Sequence, residues 1–126
     1  MSAAAQAELE LAVKEYQGLQ KDLDKQMDTR QKIVAQLHES EVVQKELEIV
    51  EPTGEVYKLI GPALFKQEQP MALDAVTQRV RMFTESIKTT EATIERMQKS
   101  MEEKRERLIT LQQAAQASRL EQMKPQ

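Results

Sequence analysis

Apolar residues recur at alternating spacings of four and three along two long stretches of this chain, and a short segment of another kind separates them. Taking Leu9 as position a of a heptad, the first stretch places Leu9, Tyr16, Leu23, Arg30, Leu37 and Gln44 at a. Position d then holds Ala5, Ala12, Leu19, Gln26, Ile33, Ser40 and Leu47. The second stretch carries Leu73, Val80, Ile87, Ile94, Met101, Leu108, Ala115 and Gln122 at a, with Val76, Phe83, Thr90, Met97, Lys104, Leu111 and Ser118 at d. Nine of thirteen and eleven of fifteen of these sites are apolar, enough to define one stripe per helix that must be covered by another helix. Val13, Met27 and Val34 widen the first stripe at position e, and neither stretch has an internal proline.

The separating segment decides how the helices are joined. Glu51-Pro52-Thr53-Gly54 stops the first helix, because proline cannot continue it and glycine permits the turn. Gly54–Gln67 then offers two short runs of β-branched, aromatic and aliphatic residues around Gly61-Pro62, which reads as strands at about 55–60 and 63–67. Pro70 suits the first turn of the second helix. The expected fold is mainly α: an antiparallel two-helix coiled coil with one short β-hairpin joining the helices. The expected spans are 5–49 for helix 1, 54–67 for the hairpin and 70–122 for helix 2, within a single domain of residues 1–126.

Composition supports helices and removes most functional classes. The chain is 40% hydrophobic but only 3% aromatic and 31% charged, a make-up that suits long helices better than a globular core. Its net charge of −3 gives no general attraction to nucleic acid or anionic membranes. No apolar run approaches the roughly 18 residues of a membrane span, and the N-terminus lacks the basic flank and apolar core of a signal peptide, so the expected location is cytoplasmic. There is no cysteine, no glycine-rich phosphate loop and a single histidine, His38, with no second ligand beside it. No enzyme, cofactor or metal site is expected.

The hairpin is the informative element. An isolated two-stranded sheet is marginal in water, and this one has apolar residues on both faces and two open edges blunted only by Lys58 and Lys66. Strands from neighbouring subunits are the expected remedy, so the chain is expected to be oligomeric.

The run EVYKLIGPALFKQE (Glu55 to Glu68), set between helices of nearly equal length, resembles the hallmark of β-type prefoldin subunits. Val76, Arg79, Val80, Phe83 and Ile87 are similar to the start of that family's second helix. The resemblance covers essentially the whole chain. It departs at Gln69-Pro70-Met71, where charged and alanine-rich helix would be expected. It implies a heterohexamer of two α-type and four β-type prefoldin subunits, built on a double β-barrel platform. Such an assembly is an ATP-independent holdase that captures unfolded proteins, notably actin and tubulin, and passes them to the group II chaperonin.

Two sets of site residues follow. Val56, Tyr57, Leu59, Ile60, Leu64 and Phe65 are expected to make subunit contacts, with Gly61 and Pro62 setting the turn. Client binding is expected at the free helix ends, about residues 1–16 and 108–123, where helices fray. Leu11, Ile109, Leu120 and Met123 lie off the a/d seam there. The competing reading is a coiled-coil adaptor or tether without chaperone activity.

Overall fold

The computed structural model describes residues 2–123; Met1 and residues 124–126, the extremes of the expected domain, lie outside them. The element order is α1 (Ala3–Glu48), β1 (Val56–Ile60), β2 (Ala63–Gln67) and α2 (Gln69–Gln122). The helices contain 46 and 54 residues. The architecture is two antiparallel helices with a two-stranded antiparallel hairpin between them.

Local chemistry sets the helix ends. Ser2 caps α1: the Ala5 amide donates to Ser2 Oγ at 3.1 Å and the Gln6 amide to the Ser2 carbonyl at 3.0 Å. At the other end α1 stops at Glu48, ahead of Pro52, which disfavours helical geometry at Glu51. The Gly54 amide closes the following turn onto the Glu51 carbonyl at 2.8 Å. A Cβ on Gly54 would stand 2.8 Å from Val50 Cγ1 and 3.0 Å from that same carbonyl, so this turn needs glycine. Helix α2 begins at Gln69 with Pro70 in its first turn, where a missing amide hydrogen costs nothing. Gln69 Nε2 donates to the Leu47 carbonyl at 2.7 Å, satisfying one of the orphan acceptors at the end of α1.

Among the described residues the chain divides into two units, one of residues 29–91 and the other of the stretch up to residue 28 with that from residue 92 onward. In the first, Ile33, Leu37 and Leu47 of α1 and Leu73, Val80, Phe83 and Ile87 of α2 are half-buried, while Ser40, Ala72, Val76 and Thr90 are buried. Thr90 Oγ1 donates to the Ser86 carbonyl at 2.8 Å, and Gln44 Nε2 donates to Thr77 Oγ1 at 3.2 Å, so the polar seam sites are satisfied rather than stranded. Arg30, at a seam position by spacing, is exposed instead: its Nε and Nη2 reach Glu91 Oε1 at 3.1 and 3.0 Å. A guanidinium keeps its charge in water while its stem lies along apolar surface.

In the second unit Leu9, Tyr16, Leu19, Leu23, Met97, Met101, Leu108 and Leu111 are half-buried, and Ala12 and Ile94 are buried. Lys104, another polar seam site, donates through Nζ to Glu15 Oε2 at 3.2 Å, and Arg107 pairs with Glu8. Along the widened stripe Val13 and Val34 are half-buried, but Met27 is about half exposed. Among the described residues no side chain is fully enclosed, as expected of paired helices with a seam in place of a core.

Candidate functional site

The hairpin register is Val56↔Gln67, Tyr57↔Lys66, Lys58↔Phe65, Leu59↔Leu64 and Ile60↔Ala63. Two residues, Gly61 and Pro62, make the turn. Gly61 has φ +59°, and proline holds its own φ near −65°, so the turn is of type II′, whose twist matches a right-twisted hairpin. Paired residues share a face, so Tyr57, Leu59, Leu64 and Lys66 lie on one side and Val56, Lys58, Ile60, Ala63, Phe65 and Gln67 on the other.

Both faces are apolar, and both are largely open. Leu59 and Leu64 are 67% and 66% exposed, while Tyr57, Ile60 and Phe65 are each about half exposed. Only Val56 among the apolar hairpin residues is half-buried. It lines, with Tyr57 and Leu59, a shallow groove of about 280 Å³ whose other wall is Val43 and Leu47 of α1 and Ala72 and Val76 of α2. The sheet has two strands only, so each keeps one edge unpaired within the described residues.

Tyr57 Oη donates to Glu55 Oε2 at 2.7 Å, and that hydrogen bond holds the phenol above its usual pKa because it requires the proton. Lys66 Nζ stands 3.9 Å from Glu55 Oε1, so Glu55 gathers the polar tips of the Tyr57↔Lys66 pair at the base of the hairpin. The charges sit at one end of the face and leave Leu59 and Leu64 clear.

Exposed apolar residues also stand outside the strands: Val42 and Val43 on α1, Ile49 in the turn just past its end, and Met71 and Met82 on α2. Each lies off the a/d seam, the same signal that singled out Leu11, Ile109, Leu120 and Met123. Among the described residues, ten of the fifteen large exposed apolar side chains fall between residues 42 and 82, which makes this stretch the stickiest part of what is described.

At the free helix ends, Leu11, Leu120 and Met123 are more than half exposed and Ile109 is 40% exposed. Small residues flank them: Ser2, Ala5, Ala114, Ala115 and Ser118, with Leu111, line a groove of about 220 Å³. His38 lies on the surface with Nδ1 3.9 Å from Glu41 Oε2. Among the described residues no group of three or more His, Cys, Asp or Glu is placed to hold a metal. No helix among them is long and apolar enough to cross a membrane.

A two-stranded sheet with both faces and both edges open, set between two coiled-coil helices, defines a class of hairpin-linked coiled-coil subunit. The profile of the family described as "Prefoldin subunit" matches residues 10–115. The chain is 41% identical to prefoldin subunit 6 of Mus musculus over 113 residues, which cover 90% of this chain and 89% of that protein. It is 37% identical to prefoldin subunit 6 of Arabidopsis thaliana over 88% of this chain and 86% of that protein. The crystal structure of the prefoldin beta subunit from Thermococcus strain KS-1 shares the fold, with a TM-score of 0.75 at 16% identity over 82% of this chain and 90% of that one. The chain belongs to the prefoldin subunit family and is a chaperone subunit that assembles with other prefoldin subunits.

Proposed function

We propose that residues 1–126 act as one β-type prefoldin domain, with the hairpin as its assembly piece and the free helix ends as its capture surface. The observation that carries this reading is the hairpin: an open-edged sheet with Leu59 and Leu64 two-thirds exposed is unsatisfied as a monomer, and strands from neighbours supply what it lacks. Val56, Tyr57, Ile60 and Phe65 join Leu59 and Leu64 in that contact, and Gly61 and Pro62 hold the turn that presents them. The partners are α-type and β-type prefoldin subunits in a heterohexamer.

The assembly captures unfolded actin and tubulin in the cytosol without nucleotide and passes them to the group II chaperonin; no catalytic group takes part. Leu11, Ile109, Leu120 and Met123 support the capture role, because they expose apolar surface where an ordinary solvated coiled coil carries polar groups. Methionine in particular adapts to varied partners. The test is light scattering from denatured actin diluted into the assembled complex without ATP. Suppressed aggregation is expected, and it should weaken when those four residues are replaced by Ser or Gln while the mass of the complex is unchanged. Capture that survives the four replacements would refute the placement of the surface.

A further inference from the structure

The groove beside β1 has a one-sided charge. Its floor is apolar, from Val43 and Leu47 of α1 and Ala72 and Val76 of α2, and its charged members are Lys58 and Arg79. No carboxylate lines it, although the chain carries 21 acidic residues against 18 basic ones. Both cations are exposed, and among the described residues neither has an ion pair or a side-chain hydrogen bond. Lys66, the other lysine of the hairpin, stands beside Glu55, and Arg30, Lys104 and Arg107 each reach a glutamate.

The groove also follows an open strand edge. Four successive residues of β1, from Val56 to Leu59, line it, whereas β2 contributes Gln67 alone. Side chains alternate in direction along a strand, so this run borders the groove with its backbone, on the flank that β2 leaves unpaired. An extended segment seated there would bond the free edge of β1 and rest its side chains on Leu47 and Val76, and a carboxylate in it would meet Arg79 and Lys58. A second copy of this chain fits poorly. Its strands, VYKLI and ALFKQ, hold Lys58 and Lys66 and no carboxylate, so either one brings a further cation to two that already lack partners. Glu55 and Glu68 stand outside the strands, and Glu55 is already engaged with Tyr57 and Lys66.

We propose that this groove seats an acidic strand of a different prefoldin subunit, with Asp or Glu set between apolar residues, and that Arg79 and Lys58 select it over a second copy of this chain. This rests on the reading of the hairpin as the assembly piece, and it names what chooses the neighbour. Apolar contact holds a strand of either kind, while the two cations favour an acidic one and reject a basic one.

The test is a competition. Equal amounts of the natural chain and Arg79→Glu, distinguished by mass, are assembled with the remaining prefoldin subunits and counted by native mass spectrometry; each chain alone is followed by sedimentation. An exposed charge pair changes association roughly 1.4- to fivefold, and reversing one charge turns attraction into repulsion, so Arg79→Glu should be under-represented roughly two- to thirtyfold. The deficit should shrink in high salt, with Arg79→Lys close to the natural chain and Arg79→Met in between. Alone, Arg79→Glu should self-associate more strongly than the natural chain, because its groove then offers a carboxylate to the lysines of a second copy. A surface charge with no part in selection would not move that readout. Equal uptake of Arg79→Glu, a deficit that salt leaves unchanged, or a natural chain that self-associates as strongly as the variant overturns the selection. If Leu59→Thr/Leu64→Thr is left out of the complex while Arg79→Glu enters normally, the hairpin remains the assembly piece and the charge selection alone fails.

Discussion

Replacing Leu59 and Leu64 together by threonine separates a residue's role in the subunit from its role in the assembly. The two face each other across the hairpin and are 67% and 66% exposed. Full burial of a leucine is worth about 1.5–3 kcal/mol, so the surface still open on each is worth about 1–2 kcal/mol to a partner. The pair therefore withholds about 2–4 kcal/mol from each association, which is about a 30- to 700-fold weaker equilibrium. The third already covered within the subunit is worth only about 0.5–1 kcal/mol per residue, and threonine's strand preference offsets part of it. Native mass spectrometry of the co-expressed complex should show this subunit missing from the Leu59→Thr/Leu64→Thr assembly. Circular dichroism of the isolated chain should show its helix content unchanged. An assembly of normal mass, or a variant that loses its helices, would refute the reasoning.

Three further outcomes follow from local geometry. Gly61→Val should cost about 1–2 kcal/mol, because φ +59° is a left-handed conformation that a β-branched residue resists, and exchange protection across 56–67 should fall accordingly. A double-mutant cycle of Arg30→Met and Glu91→Gln, followed by thermal melts, should give a coupling of at most about 1 kcal/mol that shrinks with added salt, since both side chains are about half exposed. Tyr57 should ionise above the usual tyrosine range in an ultraviolet pH titration. Its folded pKa is raised, so the stability of the Glu55 contact is fully present below the ordinary value and is lost as pH rises through the folded one. In Tyr57→Phe that raised transition should disappear.

The helices and the hairpin were legible because their signals are local and repeated. A seven-residue apolar period, the Gly61-Pro62 turn and Pro52 each restrict the backbone directly. What escaped the sequence depends on contacts between distant residues. The spacing expected Arg30 in the seam, and only its reach to Glu91 explains its exposure. The start of α2 at Gln69 accompanies a side-chain bond to Leu47, 22 residues away in the chain. Met27 fits the apolar stripe by spacing yet faces solvent. Ile49, 80% exposed, and Met71 lie beside the hairpin and off the a/d seam, where the heptad pattern by itself places no apolar residue. The same off-seam test that picked out Leu120 and Met123 would have found them.

As proposed, this hairpin is an incomplete sheet that other prefoldin subunits finish. Co-expression with α-type subunits followed by native mass measurement tests it most directly. One species containing two α-type chains and four β-type chains, this one among them, is expected; a stable monomer or homodimer that ignores the α-type partners would rule that reading out.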